Sequence, residues 1–500
     1  MNKVCFNLSF IFLISVNCFS QVQVGQKLEG IKGSDVYSDE FGYSVSISAN
    51  GDIIAIGAPE NDTNGHSSGH VRIYENNQGT WTKIGSDIEG DFNGNKLGTA
   101  VSISSTGNLV AIGAPGYSGA NAESGMVRIY SNVNNTWTPL GNDMYGKPLI
   151  GNQIAERFGT TVSLSADGNT VAVGMPTNST IGLFQGIVRV YQNVSGVWTQ
   201  AGQDIVGEKV QDYSGGSIAL SNNGSTLAVG AYANDGNGTT SGHVRVYENI
   251  QGVWTQIGAD INGDAAYSEA GRGVDLSADG KIVAVGAPGT NANGANSGRV
   301  RIYENVQGIW TQIGQGIDGL AMGDRFGAQV ALSADGSTVV VSGLNNLSLS
   351  TSKGHLRVYR NISGVWTQAG TQVDGDANYD LFGSSIDCSA DGKTVIAGAI
   401  QKLVSPMLGY AKVYDFSQAL NAEQFVKIDF SVYPNPAYNL LNIVLDDKMF
   451  LQNVFIYDVT GKVVKKTEQN IIDVHNLNNG IYFVEIHTNL GKAVKTIIKK

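Results

Sequence analysis

The chain reads as all-β: a seven-bladed β-propeller closed by an N-terminal strand, followed by a small β-sandwich. Three observations carry this reading. All six tryptophans, Trp81, Trp137, Trp198, Trp254, Trp310 and Trp366, recur at spacings of 56, 61, 56, 56 and 56 residues, each followed by threonine. A bulky side chain at a fixed period marks one structural unit copied and stacked. Seven turns, at Asn50-Gly51, Thr106-Gly107, Asp167-Gly168, Asn223-Gly224, Asp279-Gly280, Asp335-Gly336 and Asp391-Gly392, punctuate the same period. Asn-Gly and Asp-Gly are strong hairpin signals because both residues tolerate positive φ. After Phe416 the repeat stops and a different apolar pattern begins.

Residues 1–20 read as a signal peptide. Lys3 supplies the positive start, Val4 to Val16 is mostly apolar, and Cys18-Phe19-Ser20 places small residues before a cut ahead of Gln21. The apolar stretch is shorter than the ~20 residues a spanning helix needs, so no transmembrane segment is expected. Removal leaves Cys388 as the one cysteine of three, so no internal disulfide is expected in an oxidising destination. The thiol lies in a strand pattern and reads as a core residue.

One unit, taken from Phe158, holds four strands: Thr161 to Ser165, Thr170 to Gly174, Gly186 to Tyr191, and a fourth opened by Val197-Trp198. Four strands in about 56 residues make one small antiparallel sheet. The second strand alternates branched residues with Ala and Gly, as in Ile54-Ala55-Ile56-Gly57, which suits the crowded axis of a ring. The tryptophans suit the wider gaps near the rim. The seventh unit ends at Tyr410-Ala-Lys-Val-Tyr414 without a fourth strand, while Val24 to Gly30 resembles Ile84 to Gly90. The N-terminal segment therefore completes the last blade and leaves no open edge.

The formal charge of −11 excludes nucleic acid as an electrostatically favoured partner. Arg72, Arg128, Arg189, Arg245, Arg301 and Arg357, with Lys412, hold one repeat position and read as partners of a neighbouring blade's carboxylates. His70, His243 and His355 share another position but have no ligand spacing, so no metal and no cofactor is expected. Nucleophile elbows, phosphate loops and isolated acid pairs are missing from the sequence. The expectation is therefore a non-catalytic protein, with an enzyme acting on polysaccharide at one propeller face, or a surface protein lacking a specific ligand, as alternatives. The variable polar loops after the second strand and between blades are the expected ligand face. They carry Asp62, Asn64, Asn234, Asp235, Asn237, Asn291 and Asn293, and Asp91 and Asp376 between blades. Unit four departs most from the pattern, with Tyr213-Ser-Gly-Gly216 at its start and Gly230-Ala231-Tyr232 after its second strand.

Phe41-Gly42 with Gly57-Ala58-Pro59, Leu97-Gly98 with Gly113-Ala114-Pro115, and Phe158-Gly159 with Gly174-Met175-Pro176 resemble the FG-GAP repeat of integrin α-type propellers over residues 21–416. That family often holds calcium in an Asp-rich loop between the first two strands. Here the connection is only Ser-Ala-Asp-Gly, too short to wrap the ion, so Asp167, Asp279, Asp335 and Asp391 read as turn formers.

Residues 417–428 read as a linker. From 429 lysine is the sole cation of its type, eight against seven acids, and four strand patterns predict a compact Ig-like β-sandwich. Tyr433-Pro434-Asn435-Pro436, Tyr457-Asp458-Val-Thr-Gly461-Lys462, Gly480-Ile-Tyr482 and the closing Lys-rich strand resemble the type A C-terminal sorting domain of the type IX secretion system of Bacteroidota. The resemblance implies export by that translocon through residues 429–500, and a mature protein released or attached at the cell surface. Its partners are then the translocon and a glycan or protein ligand.

Overall fold

The computed structural model describes residues 21–31, 39–118, 124–147, 155–344, 352–401, 408–421, 430–445, 450–488 and 491–500. The expected signal peptide and most of the expected linker lie outside these residues. Seven sheets of four or five strands follow one another along the chain up to residue 415. We number them blades I to VII. In blade I the strands are Ser44–Ile47, Ile53–Ala58, His70–Asn77 and Thr80–Lys83, with the short strand Ile88–Glu89 also on the third. Blade VII runs Ser385–Cys388, Thr394–Ala399, Tyr410–Asp415, and is completed by Val22–Gln23 and Leu28–Glu29. Val22 pairs with Asp415, and Leu28 with Ala411, both antiparallel. The chain's two ends thus share one sheet, as the repeat count requires.

The first strands touch in a closed cycle, from Ser44–Ile47 through each blade to Ser385–Cys388 and back. A circle of backbone hydrogen bonds seals this axis. The amide of Ala49 donates to Ser105 O, Ser105 to Ala166, Ala166 to Asn222, Asn222 to Ala278, Ala278 to Ala334, Ala334 to Ala390, and Ala390 back to Ala49, all at 2.8–3.0 Å. An open array would leave the last donor and first acceptor unpaired.

The two glycine signatures meet at this axis. A Cβ on Gly57 would stand 2.1 Å from Gly98 O, one on Gly113 2.1 Å from Gly159 O, and one on Gly398 1.9 Å from Gly42 O. The glycine after the phenylalanine in one blade packs on the glycine of the preceding blade's second strand. In blade VI Ser342 holds that second-strand position, because it pairs with Leu356 as Gly57 pairs with Val71. Gly343 then stands one residue later, pairing with His355 as Ala58 pairs with His70. The phenylalanines themselves, Phe41, Phe158, Phe326 and Phe382, are fully buried.

A second circle runs through side chains. Ser46 Oγ accepts from the Ile103 amide, Ser102 Oγ from Leu164, and Ser163 Oγ from Leu220, at 3.0–3.1 Å. The same position holds Ala219, Asp275, Ala331 and Asp387 in the later blades. Each alanine leaves the next blade's amide without an acceptor, and each aspartate follows an alanine. Asp275 takes its neighbour Leu276 N with Oδ1 and Leu332 N with Oδ2. Asp387 takes Cys388 N with Oδ1 and Ile47 N with Oδ2. A carboxylate with two oxygens does the work of two serines. Removal from water raises Asp275 to about 7 and Asp387 to about 6, against the hydrogen bonds that favour the charge.

The tryptophans stitch blades at the rim. Each indole Nε1 donates to the preceding blade's fourth-strand region, Trp81 to Val24 O, Trp137 to Ile84 O and Trp198 to Leu140 O, at 2.9–3.0 Å. Six indoles cannot serve seven gaps. Gln23 pairs with Tyr414 as Lys83 pairs with Tyr74, which puts Gln21 in the seventh tryptophan's place. Gly25 abuts Trp81 and Gly85 abuts Trp137, but Gly370 abuts Gln21, Phe416 and Ala419. The last two come from the chain just past blade VII, where residues expected to be linker form the helix Ser417–Asn421. Asp415 Oδ1 caps it at the Ser417 amide, and Arg360 Nη1 donates to Leu420 O at its end. Phe416, Ala419 and Leu420 are buried in the core shared with Ala369. The linker expectation is corrected over 417–421: apolar residues at 416, 419 and 420 lie on one helical face and fill the gap an indole would fill.

Beyond residue 429, a three-stranded sheet and a four-stranded sheet enclose one apolar core of Leu441, Ile443, Val454, Ile456, Val484 and Ile486.

Two expectations follow. Asp387→Ser strands the Cys388 amide and lowers stability by about 1 kcal/mol; adding Ala331→Ser supplies the acceptor and recovers most of it, read by chemical denaturation. The carboxyls also impose a pH signature. Their folded values lie above the unfolded value, so the native state binds more protons between about pH 4 and 7. Their contribution is then fullest at low pH and is lost as pH rises through 6 to 7. His70 and His355, each lowered to about 3 mainly by burial, act with opposite sign, losing stability as pH falls below 6.5. The difference between wild type and the Asp275→Ser, Asp387→Ser variant isolates the carboxyls: wild type's advantage is larger at pH 5 than at pH 8, measured as melting temperature.

Candidate functional site

The turns after the first strands form one face of the ring. The loops after the second strands and those between blades form the other, joined to one another by backbone bonds such as Gly94 N to His66 O and Lys96 N to Ser67 O. The loop face was the expected ligand face, and its named residues do converge there. Most of their polar groups, however, are engaged in shaping the loops. Asp62 accepts from Ser67 N, Asp235 from Thr240 N and Asn291 from Asn296 N. Asn64, Asn237 and Asn293 donate to Gly90, Gly263 and Gly319 carbonyls, tying each loop to the next inter-blade connection. Asn234 is buried and donates to Asp212 Oδ2 at 3.1 Å. Asp91 pairs with Arg128 at 3.3 Å, and Asp376 with Lys412.

The arginine ring is built as pairs. In blades III to VI a carboxylate of the connection from the preceding blade serves it: Glu156 for Arg189 at 3.0 Å, Glu208 for Arg245 at 3.8 Å, Asp264 for Arg301 and Asp324 for Arg357 at 3.6 Å. Same-blade aspartates also serve it in the first three blades: Asp87 for Arg72, Asp143 for Arg128 and Asp204 for Arg189, at 2.6–3.1 Å. These last partners lie 15 residues on, just before the short outer strand, a position sequence pattern alone did not single out.

One sector of the loop face breaks the pattern. Ser214-Gly215 stands where four blades carry Phe-Gly, blade II Leu97-Gly98 and blade V Ala270-Gly271, since Gly215 N bonds Gly230 O as Gly42 N bonds Gly57 O. Tyr213 precedes it, and Tyr232 replaces the proline found at Pro59, Pro115, Pro176 and Pro288. The ring of Tyr213 stacks on Phe184 of the preceding blade's loop, with centroids 5.3 Å apart and planes at 18°. It stacks on Tyr232 as well, at 5.4 Å and 23°. The Arg272 guanidinium then lies 4.4 Å from the centre of the Tyr232 ring. Tyr232 rests over Gly216, where a Cβ would meet the ring at 3.0 Å, so the glycine makes room for it.

These groups form a row of three aromatic planes ended by a cation. The rings are half-buried and Arg272 is exposed. Beside the row, Ile181 is 66% exposed and Val210 60% exposed. Tyr43, across the inner rim, feels the charge of Arg272, and burial raises its hydroxyl's pKa. Tyr213 has φ 52°, but Glu40, Lys96, Arg157, Glu269, Arg325 and Leu381 hold the same conformation at the same repeat position. The fold dictates that backbone; only the side chain is special. The sequence signalled Tyr213 and Tyr232 as departures, whereas Phe184 and Arg272 had no marker.

In the C-terminal sandwich the landmark residues are mostly structural. Asn435 grips the last strand, donating to Thr496 O and accepting from Ile498 N, and Ala437 beyond Pro434 and Pro436 continues the tie to Ile498 and Lys500. Asp458 Oδ1 accepts from Thr460 and from Lys462 N across the turn at Gly461, φ 83°. Tyr482, two residues after Gly480, is buried and donates to Asn478 O. Tyr433 and Lys462 are exposed.

Comparison with known proteins agrees with both halves. Residues 431–500 match the secretion system C-terminal sorting domain, and residues 34–74 match the FG-GAP repeat. The chain thus carries an FG-GAP propeller and a type IX sorting tail, which indicates a protein secreted or attached at the cell surface. No curated protein matches it. Among solved structures it is similar to the β-propeller domain of Cps50 (Swd1) from Myceliophteria thermophila, at 13% identity and TM-score 0.46 over 74% of this chain and 96% of that one. A putative 6-phosphogluconolactonase from Bacteroides uniformis is similar at 12% identity and TM-score 0.46, over 87% of this chain and 96% of that one. No helix among the described residues is long and apolar enough to cross a membrane.

Proposed function

We propose that the propeller is a non-catalytic binding module delivered to the cell exterior, and that its ligand is a glycan seated on the Phe184–Tyr213–Tyr232 row. The row is the observation that carries this. Stacked, half-exposed rings offer flat apolar faces to the C–H faces of sugar rings, and Arg272 beside them offers a planar donor to hydroxyl or carboxylate groups. Exposed apolar side chains gathered on the loop face mark a contact surface, and here they adjoin three mutually stacked rings. Most of the polar side chains named on this face are held in loop bonds, which favours binding over bond-breaking chemistry. The exposed aliphatics Ile181 and Val210 favour a protein ligand as the second reading.

Tyr213→Ala and Tyr232→Ala are each expected to weaken glycan binding about tenfold, the effect of losing roughly 1.4 kcal/mol of ring contact, with little change in melting temperature. A polysaccharide and glycan panel, followed by calorimetry of any hit, measures this. Binding that ignores both substitutions overturns the site, capture of a protein instead shifts the ligand class, and turnover of a polysaccharide overturns the non-catalytic reading. Separately, a chain lacking residues 429–500 is expected to accumulate in the periplasm; cell fractionation that finds it outside at the normal level contradicts export through the tail.

A further inference from the structure

Three histidines, His70, His243 and His355, open the third strands of blades I, IV and VI. All are buried, at 0–1% exposure, and none has a hydrogen bond recorded at Nδ1. They differ in what surrounds them. In blades I and VI a phenylalanine packs on the imidazole, Phe41 at 6.2 Å and Phe326 at 6.1 Å. In blade IV that position is Ser214, which removes the ring and puts in its place a fully buried hydroxyl that is itself unpartnered.

Two carboxylates converge on His243 alone. Asp260 Oδ2 lies 3.6 Å from Nδ1, and Glu208 Oε2 lies 3.9 Å from it. The three ligand atoms lie within 4.8 Å of one another. Asp260 occupies the position of Asp87, Asp143 and Asp204, which all bond their blade's arginine. In blade IV that pairing is open: Arg245 Nη2 donates to Val206 O at 2.8 Å, its Nε is unpartnered, and Asp260 turns Oδ1 to Gln256 and Oδ2 to His243. In blades I and VI the position of Glu208 carries Ile31 and Leu320 instead.

We propose that Glu208, His243 and Asp260 bind a divalent cation of the zinc class, with solvent completing the coordination. One imidazole and two carboxylates suit a borderline divalent ion. The carboxylate oxygens stand 3.6 and 3.9 Å from Nδ1 and all three atoms lie within 4.8 Å of one another, wider than the roughly 3.0–3.5 Å edge set by metal–ligand bonds of about 2.0–2.2 Å, so both carboxylates move inward when the site closes. Those two are partly exposed, at 41% and 27% side-chain exposure, and they open the site to solvent. The two carboxylates offset the charge of Arg245, whose Nη1 lies 3.8 Å from Glu208 Oε1. Asp212, buried nearby, holds the loop by accepting from Glu208 N and Lys209 N, and the same loop ends in Tyr213. The cation would therefore pin the connection that carries the central ring of the aromatic row.

The test is calorimetric titration of Zn2+ into the chelator-treated, secreted full propeller, with Co2+ absorption as the spectroscopic check. The expected result is one site per chain, a Co2+ spectrum of low coordination number, and at least a tenfold loss of affinity in the Glu208→Gln, Asp260→Asn variant. That variant alters exposed groups and retains His70, His355 and His243, so its melting temperature without metal stays near wild type. Failure of wild type to bind overturns the proposal, and so does unchanged affinity in the variant, which would mean adventitious binding elsewhere.

Discussion

Everything in this propeller depends on how closely two backbones approach at the axis. Where Gly57 meets Gly98, a Cβ would lie 2.1 Å from a carbonyl oxygen, inside any permitted contact. Removing side chains at both positions lets the first strands converge until the amide of one turn reaches the carbonyl of the next. Six such glycine pairs and one step where Gly383 packs on Ser342 return to the start, and closure follows from geometry rather than from a dedicated clasp. The N-terminal strand then supplies pairing for an edge that would otherwise stay open, so the ring's last blade forms only when both ends of its chain are present.

Closure also explains the parts that look irregular. A circle of seven serines would satisfy seven amides at the axis, but the chain has alanine at 219 and 331. The aspartate after each alanine takes up the orphaned amide with a second oxygen, at the expense of a carboxyl whose proton is hard to lose. The missing seventh tryptophan is matched in the same way: Gln21 stands in its register, and Phe416 and Ala419 supply the bulk. These are local exchanges that keep the overall geometry constant.

Much of this was legible beforehand because a repeat averages out local ambiguity. The tryptophan period, the Asp-Gly turns and the likeness of Val24–Gly30 to Ile84–Gly90 set the number of units and the manner of closure. The helix Ser417–Asn421 was not legible: five residues carry little periodicity, and their reason for being helical is a gap in another part of the chain. Of the candidate site, Tyr213 and Tyr232 stood out as breaks in the pattern. Phe184 did not, because loop residues at its position vary in every blade, and Arg272 did not, because its ring partner lies 40 residues away in sequence. The polar loop residues were legible as loop residues of one face, but not their bonds: Asn64, Asn237 and Asn293 recur at one loop position, and each ties its loop to the next connection, a demand of the scaffold.

That distinction offers a way to separate structural from functional asymmetry in a repeat protein. A departure made for stability comes with a partner that restores what was lost, as Asp275 follows Ala219 and Asp387 follows Ala331. Blade IV has departures without such a partner. Replacing the phenylalanine by Ser214 leaves a buried hydroxyl unsatisfied, turning Asp260 away from Arg245 leaves a guanidinium nitrogen unsatisfied, and both ring nitrogens of His243 are bare. Buried polar groups without partners cost about 1–3 kcal/mol each, and blade VI also keeps a set of them at Ser342, His355 and Arg357. What blade IV adds is a pair of carboxylates, Glu208 and Asp260, facing the bare imidazole of His243. That convergence beneath the loop that carries Tyr213 argues that blade IV is shaped for something the isolated chain does not contain.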